Sequence, residues 1–269
     1  MKTPLYLFPG GKPKTVTFSY DDGVVQDDRL IEVLNRYNLK GTFNINSGMD
    51  YRDGHIKQTP ENIQRIYAGH EIACHAEYHA GMDRIAATDA MREIWNDRVK
   101  LEQVSGQMVT GFAYPCGQYS ERVVETLKCA GIEYARTTEN CERNRYIPDD
   151  FLLWKPTCHH SKALDLMDAF LNEKRLLLQI FYIWGHSYEF DRNNNWDLLD
   201  KICEKISGHD DIWYATNIEI CRYIKAIRSL VTSANGNKIY NPTAQTIWFA
   251  NGWEADKISC VKPGETVEF

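Results

Sequence analysis

Two patterns of hydrophobic residues alternate along the chain. Short runs rich in β-branched and aromatic residues predict strands over residues 15–20, 41–46, 70–74, 108–114, 132–136, 151–154, 176–184 and 211–215. The stretches between them repeat apolar residues at helical spacing, as Leu30, Val33, Leu34 and Tyr37 do over residues 27–37. Strands that alternate with helices pair in parallel. We therefore predict an α/β fold, a (β/α) barrel of seven or eight parallel strands, with any catalytic residues at the C-terminal ends of the strands.

Capping residues mark several of the predicted helix boundaries. Ser120 and Asn217 each precede an amphipathic stretch, and both side chains can accept a backbone hydrogen bond as an N-cap. Gly106 and Gly131 each follow such a stretch, where glycine commonly ends a helix. These signals predict helices that start at or just after residues 120 and 217 and others that end before residues 106 and 131.

The pattern changes from about residue 230 onward. Short strands are predicted over residues 246–249, 258–261 and 265–269, separated by turn residues such as Asn251 and Gly252. We predict a (β/α) barrel over residues 1–229 and a small β extension, packed on the barrel, over residues 230–269. Trp248 and Trp253 in this extension could form a carbohydrate-binding face, but large aromatic side chains usually bury their area, so we expect apolar packing.

Composition narrows the class of protein. The chain has 269 residues, 43% of them hydrophobic, and a formal net charge of -6 with scattered Lys and Arg residues, which disfavours nucleic acid as a partner. It has no apolar run long enough to predict a membrane span. Residues 1–8 are too short and too broken by Pro4 for a signal peptide. The eight cysteines are spaced singly, and we expect most of them, such as Cys129 and Cys203, to be buried thiols. These features slightly favour a cytoplasmic location and leave a mature secreted form open; they do not predict the oligomeric state.

The strand over residues 15–20 ends in two adjacent carboxylates. Asp21 and Asp22 follow Tyr20 directly, and Gly23 allows the chain to turn. Neighbouring carboxylates repel each other unless a positive charge lies beside them. A divalent ion that binds one carboxylate would relieve the repulsion and leave the other free as a base. A solvated Asp-Asp-Gly turn is the alternative interpretation.

A pair of histidines supplies a second part of the same pattern. His75 and His79 are four residues apart, a spacing that brings both imidazoles to one face of a helical turn or tight loop. Two imidazoles and one carboxylate form a three-ligand metal set with positions open for water and substrate.

These two stretches resemble the motifs of a known family. The polysaccharide deacetylases of carbohydrate esterase family four carry T-F-D-D-G and H-[ST]-x-x-H, which correspond here to residues 17–23 and 75–79. The resemblance covers about residues 12–225, with two residues inserted before the aspartate pair and Ala76 in place of the hydroxyl residue. It implies an irregular (β/α) barrel, an acetylated carbohydrate substrate and a divalent metal ion, which we expect to be zinc. It also implies that Asp22, His75 and His79 bind the ion and that Asp21 is the general base.

The third motif of that family, R-x-P-[YF]-G, corresponds to residues 113–117. Cys116 stands where the family has an aromatic residue whose backbone N–H stabilises the oxyanion, and a backbone donor survives a change of side chain. Ala113 stands where the family has the arginine that orients the catalytic aspartate. Arg136, at the end of the next strand, is a candidate replacement; a structural or surface arginine is the alternative. Cys116 could instead be a nucleophile, but no histidine is evident as its partner.

The last two motifs follow later strands. Trp154 corresponds to the tryptophan of the fourth motif and could form a wall of the acetyl pocket, whereas His159 and His160 could contact substrate or lie in a solvated loop. His186 directly follows the apolar strand and corresponds to the histidine of L-x-L-H, so we predict a general acid oriented by Glu189 or Asp191, with a structural histidine as the alternative. Our predicted substrate-binding residues are Tyr114, Trp154, Arg136 and His160.

The sequence thus predicts a metal-dependent hydrolase that removes N- or O-acetyl groups from a sugar or polysaccharide. A catalytically silent carbohydrate-binding protein on the same barrel, and a hydrolase of other non-peptide C–N bonds, are the alternatives. Loss of the motif-three arginine favours the silent protein, and retention of both aspartates and both histidines favours an enzyme.

Overall fold

A computed structural model describes residues 4–142, 146–251 and 257–268. Its main element is a curled parallel sheet in the order β6-β5-β4-β3-β2-β8-β7, with β9 paired to β2. The strands of this sheet are β2 (Lys14–Asp22), β3 (Gly41–Ile45), β4 (Glu71–Cys74), β5 (Gly111–Ala113), β6 (Tyr134–Arg136), β7 (Cys158–His159), β8 (Gln179–Gly185) and β9 (Ile212–Tyr214). The predicted (β/α) barrel of seven or eight parallel strands is confirmed.

Strand β2 is the centre of this sheet. It pairs with β8 from Lys14 to Tyr20 on one side, and on the other with β9 at its start and β3 from Phe18 onward. Its first eight residues are buried, which explains the continuous run of β-branched and aromatic residues. The carboxylates at its C-terminal end therefore lie at one end of a fully packed sheet.

The segment from Trp154 to His159 joins the two edges of the sheet. Trp154 bridges to Arg136 on β6, and three residues later the N–H of Thr157 donates to the carbonyl oxygen of Tyr182 on β8 (2.9 Å). One continuous segment therefore contacts both β6 and β8, and the curled sheet returns on itself. This closure brings the C-terminal ends of distant strands to a common mouth.

Eight helices connect the strands of the described segments: α1 (Gln26–Arg36), α2 (Pro60–Ile66), α3 (Ala87–Ser105), α4 (Glu121–Cys129), α5 (Ala163–Asn172), α6 (Tyr188–Arg192), α7 (Trp196–Ile206) and α8 (Asn217–Arg228). Ser120 caps α4 as predicted, and Gly106 ends α3 with φ 70°. Over residues 4–142, 146–251 and 257–268, no helix combines the length and the hydropathy that a bilayer crossing requires.

Three sequence-based predictions need correction. The N-cap of α8 is Thr216, which forms a capping box with Glu219, while Asn217 is buried and bonds to Thr17. Residues 151–153 form a 3-10 turn rather than a strand, because the Asp150 carboxylate accepts from the N–H of Leu152 (2.8 Å). Cys129 is exposed, whereas four other cysteines are buried: Cys74, Cys158, Cys203 and Cys221.

Two small antiparallel sheets lie outside the barrel. One contains β1 (Pro4–Leu7), β12 (Ile247–Asn251) and β13 (Ile258–Val261); the other contains β10 (Val231–Thr232), β11 (Lys238–Tyr240) and β14 (Thr266–Glu268). The start of the chain thus pairs with the predicted C-terminal extension. Trp248 is half-buried, and Trp253 lies outside the described residues. The division at residue 229 stays a prediction.

Candidate active site

Residues at or just after the ends of five strands meet at the mouth of the barrel. They surround a cavity of about 450 Å³. The cavity is lined by Asp21, Asp22, His75, His79, Tyr114, Cys116, Thr138, Trp184, His186 and Tyr188. The structure therefore brings together seven of the ten predicted site residues, including all those predicted to bind metal or to act as acid or base.

Asp22, His75 and His79 form the tightest cluster in this cavity. The Oδ1 atom of Asp22 lies 3.6 Å from Nε2 of His75 and 3.7 Å from Nε2 of His79. The Nδ1 atom of His75 lies 2.8 Å from the carbonyl oxygen of Ala113, which fixes the tautomer with Nδ1 protonated and Nε2 free. Burial lowers the pKa of His75, so the imidazole is neutral near pH 7. A neutral ring with a free Nε2 is the form that binds a metal ion.

The backbone around this cluster is strained. Asp22, Ala76 and His79 all adopt left-handed conformations, with φ of 83°, 62° and 56°. Non-glycine residues rarely adopt these angles, and such strain persists where the surrounding structure enforces it. The strain here turns two imidazoles and a carboxylate toward one point.

Buried polar groups hold the His75 loop in this conformation. The Asp97 carboxylate on α3 accepts from the N–H groups of Ser47 (2.7 Å) and His75 (2.9 Å), and burial raises its pKa to about 7. The side-chain amide of Asn46 donates to the carbonyl oxygens of His75 and Ala76. Hydrogen bonds from residues outside the cluster therefore fix the backbone around the candidate metal ligands, as they generally do in metal sites.

Asp21 has a different environment from its neighbour. Both of its oxygens accept from Nη2 of Arg136, at 2.7 and 2.5 Å, and Oδ1 also accepts from the Asn44 amide at 2.8 Å. Asp21 and Arg136 are almost completely buried. Burial raises the pKa of Asp21, but the adjacent Arg136 charge opposes burial, and the net effect is a lowered pKa. Asp21 is therefore a buried carboxylate that stays ionised.

The other side of the cavity is formed by residues after β5 and on β8. Cys116 has a left-handed backbone (φ 55°) and an exposed side chain. Tyr114 is a lining residue, but its side chain is buried and its hydroxyl donates to the carbonyl oxygen of Leu152 (2.8 Å). Trp184 also lines the cavity, and the Arg136 guanidinium lies 4.6 Å from its ring centroid. Trp184 and Tyr188 flank the predicted acid but were not among the predicted site residues.

His186 lies between two carboxylates. Its Nε2 is 3.9 Å from Oδ2 of Asp21, and its Nδ1 is 3.7 Å from Oε2 of Glu189. Burial lowers the pKa of His186, but Glu189, Asp21 and Asp22 together outweigh burial and raise it. Asp191, the other predicted partner, instead accepts from Trp196 (2.7 Å) and Gln26 (2.9 Å). Of the two candidates, Glu189 is the carboxylate beside His186.

Glu189 also contacts two further histidines. Its Oε2 lies 2.8 Å from Nε2 of His159 and 3.5 Å from Nε2 of His160. His160 is buried, stacks on Phe190 with ring centroids 4.4 Å apart, and has a pKa that burial lowers to about 3. His159 and His160 therefore support the carboxylate that faces His186.

Three of the predicted substrate-binding residues lie elsewhere. Trp154 has no exposed surface and packs edge-on against Tyr182, so it cannot form a wall of the cavity. His160 is likewise buried and does not line the cavity. Arg136 is buried behind Asp21, where it matches the other role predicted for it, replacement of the family's arginine, rather than substrate binding. The side chains of all three residues point into packed protein rather than into the mouth of the barrel.

Comparison with known proteins supports the resemblance. Residues 9–135 match the family model described as polysaccharide deacetylase. A search of curated proteins finds no match. The match to the family model confirms the recognition that the sequence motifs predicted.

Solved structures share the fold at low identity. A candidate polysaccharide deacetylase from Mycobacterium smegmatis gives a TM-score of 0.64 at 20% identity, over 84% of this chain and 94% of that one. A family 4 acetyl xylan esterase from Clostridium thermocellum, in complex with a cobalt ion, gives 0.53 at 19%, over 77% and 89%. A family 4 pseudoenzyme from Bacillus anthracis gives 0.52 at 15%, over 81% and 68%. The chain spans only 55%, 44% and 44% of three further deacetylase structures.

Proposed function

We propose that this chain, of which residues 9–135 match the polysaccharide deacetylase family model, is a metal-dependent hydrolase that removes N- or O-acetyl groups from a carbohydrate. The observation that carries this proposal is the Asp22–His75–His79 cluster beside a buried, ionised Asp21. The carboxylates of a solvated Asp-Asp-Gly turn would not need such partners. Here a buried arginine pairs with Asp21, and two imidazoles lie beside Asp22.

The donor set fits a divalent ion. One carboxylate oxygen and two imidazole nitrogens within 4.8 Å of one another are the ligand types that zinc and similar ions bind, and they leave positions open. We propose zinc, held by Asp22, His75 and His79. A bound ion would polarise the acetyl carbonyl group and lower the pKa of the attacking water.

Asp21 is suited to the role of general base. It lines the cavity beside Asp22, and Arg136 holds it ionised, so it can accept a proton from the attacking water at neutral pH. Asn44 and Arg136 bond to the carboxylate from the buried side, which fixes its orientation toward the cavity.

His186 and Cys116 complete the proposed machinery. His186 lies across the cavity with a raised pKa, so it can keep a proton near neutral pH and give it to the leaving amine or alkoxide. The Cys116 backbone N–H would donate to the oxyanion as the carbonyl oxygen gains charge. The exposed Cys116 side chain has no assigned role.

The silent carbohydrate-binding alternative rested on the missing motif-three arginine. Arg136 supplies a guanidinium at 2.5 and 2.7 Å from the Asp21 oxygens, which weakens that argument. The likeness to the pseudoenzyme structure supports a shared fold and nothing more, because the two chains are only 15% identical. A hydrolase of other C–N bonds is distinguished by the substrate.

The test is metal content combined with acetate release. We expect about one ion per chain by elemental analysis, loss of acetate release from acetylated oligosaccharides after chelation, and recovery on adding one equivalent of zinc. His79→Ala should lower the metal content sharply, because it removes one of three ligands. Full metal content in that variant, or acetate release that survives chelation, would contradict the proposal. Hydrolysis of cyclic amides or ureas instead of acetylated sugars would favour the C–N alternative.

A further inference from the structure

A second cavity adjoins two of the three candidate metal ligands. It has a volume of about 490 Å³ and shares Asp22 and His79 with the catalytic cavity. Its lining consists of Asp22, Asn46, Met49, Tyr51, Arg52, His55, Tyr78 and His79. Because the two cavities share these ligands, an extended molecule can occupy both while an internal unit lies at the reacting centre.

Two exposed aromatic rings line this second cavity. Tyr51 and Tyr78 are 66% and 52% exposed, unusually high for large aromatic residues. The Tyr78 ring lies against Gly48, where an added Cβ would come within 2.5 Å of Cε1. The backbone N–H of Tyr78 donates to the Glu93 carboxylate (2.8 Å). The ring is therefore held in place at the cavity. Exposed rings of this kind offer a flat apolar face to the C–H face of a sugar.

Arg52 is the arginine in this lining, and no described residue gives its guanidinium a hydrogen bond, an ion pair or an aromatic contact. Every other arginine in residues 4–142, 146–251 and 257–268 has a hydrogen bond, an ion pair or an aromatic ring as a partner. The nearby carboxylate of Asp50 instead pairs with Lys100 (3.5 Å). In a chain with a formal net charge of -6, a single unpaired arginine beside the reacting centre is available for an anionic ligand.

On the basis of the proposed function, we propose that the cavity lined by Tyr51, Arg52, His55 and Tyr78 is a subsite for a carboxylate-bearing sugar, adjacent to the acetylated one. A guanidinium is planar and matches the two oxygens of a carboxylate in a bidentate hydrogen bond. Among the described residues one arginine and no lysine line the cavity, which suits a group with a single charge. The tyrosine rings bind the sugar ring, and Arg52 selects its acid group.

Two matched probes test this subsite. One is an acetylated tetrasaccharide with a glucuronic acid unit next to the acetylated sugar, and the other is the same molecule with the carboxyl group reduced to an alcohol. We expect kcat/KM for acetate release to be roughly 10-fold higher for the acidic probe, the size of a charge-assisted hydrogen bond at an open site. High salt should reduce this preference because Arg52 is exposed.

Variants separate charge from stacking. Arg52→Gln should abolish the preference for the acidic probe, whereas Arg65→Gln, which alters an exposed pair with Asp28 outside the cavity lining, should retain it. Tyr78→Ala should lower kcat/KM for both probes alike, since stacking does not depend on charge. Equal kcat/KM for the two probes in the unmodified protein, or an unchanged preference in Arg52→Gln, would overturn the subsite. Preference for a sulfated analogue over the carboxylated one would overturn the assignment of the ligand class.

The subsite and the proposed function can fail separately. If metal-loaded protein releases no acetate from either probe or from an aryl acetate, the proposed hydrolase is wrong. Calorimetric titration with the two tetrasaccharides still tests the subsite in that case, and we expect roughly 10-fold tighter binding of the acidic probe that depends on Arg52. Equal affinities in that titration would overturn the subsite.

Discussion

The buried pair between Arg136 and Asp21 gives the sharpest prediction, because it concerns folding as well as catalysis. Arg136→Met removes the guanidinium and keeps a long unbranched side chain in its place. Asp21 is then a buried carboxylate with the Asn44 amide as its remaining close partner. Removing one partner of a buried ion pair costs about 3–5 kcal/mol, because the other charge is left uncompensated.

We expect a loss near the lower end, about 3 kcal/mol in the free energy of unfolding, because Asn44 still bonds to Asp21 and two imidazoles lie within 4.0 Å. The measurement is urea denaturation with a chelator present, so that ion binding does not add to stability. Adding Asp21→Asn to Arg136→Met should recover part of the loss, because the uncompensated charge is gone. Arg65→Gln, which breaks the exposed pair with Asp28, should cost at most about 1 kcal/mol.

Two results would refute this reasoning. One is a cost below about 1 kcal/mol for Arg136→Met, which would mean that Asp21 does not depend on Arg136 as a counter-charge. The other is a double variant less stable than Arg136→Met alone, because removing an uncompensated charge cannot then be the dominant effect.

Three further predictions concern the chemistry. Asp22→Asn should lose the metal ion, whereas Asp21→Asn should keep it and lose turnover; equal metal loss in both would mean that the two roles are not separate. His186 has a raised pKa, so activity should fall as pH rises through a value above its usual 6.5, and His186→Ala should lose this alkaline limb and slow roughly 10²- to 10⁴-fold on unactivated acetates. An aryl acetate, which needs little protonation of its leaving group, should be hydrolysed by that variant almost normally; an equal loss on both substrates would exclude His186 as the acid. Cys116→Ser and Cys116→Gly should retain most activity, because the proposed donor is the backbone; loss of all activity in both would favour a nucleophilic thiol instead.

Local sequence patterns predicted the parts of the site that lie close together in the chain. Asp21 and Asp22 are adjacent at a strand end, and His75 and His79 are four residues apart after another strand. Because the C-terminal ends of parallel barrel strands lie at the same face, all four residues could be predicted to lie together. The alternation of strands and helices likewise predicted the barrel. These features depend on short-range periodicity, which a sequence displays directly.

Long-range partners were harder to predict. Glu189 follows His186 by three residues, so its pairing could be proposed, but its contacts with His159 and His160 join segments about thirty residues apart. Trp154 was assigned to the substrate cavity from its motif position, yet the 3-10 turn that ends before it directs the ring into a core with Phe151, Tyr134 and Tyr182. Whether an aromatic ring faces a cavity or a core depends on packing that a motif does not contain.

Arg136 contacts Asp21 in place of the arginine that the third motif of this chain lacks. The family resemblance predicts an arginine at position 113, but alanine stands there, on strand β5. In the parallel register Ala113 is the direct partner of Arg136 on β6, and paired positions on adjacent parallel strands direct their side chains to the same face. An arginine moved by one strand therefore still reaches toward the barrel interior, and here it contacts both oxygens of Asp21. Ala113 meanwhile offers its carbonyl oxygen to Nδ1 of His75. The two positions together hold the proposed base and one proposed metal ligand.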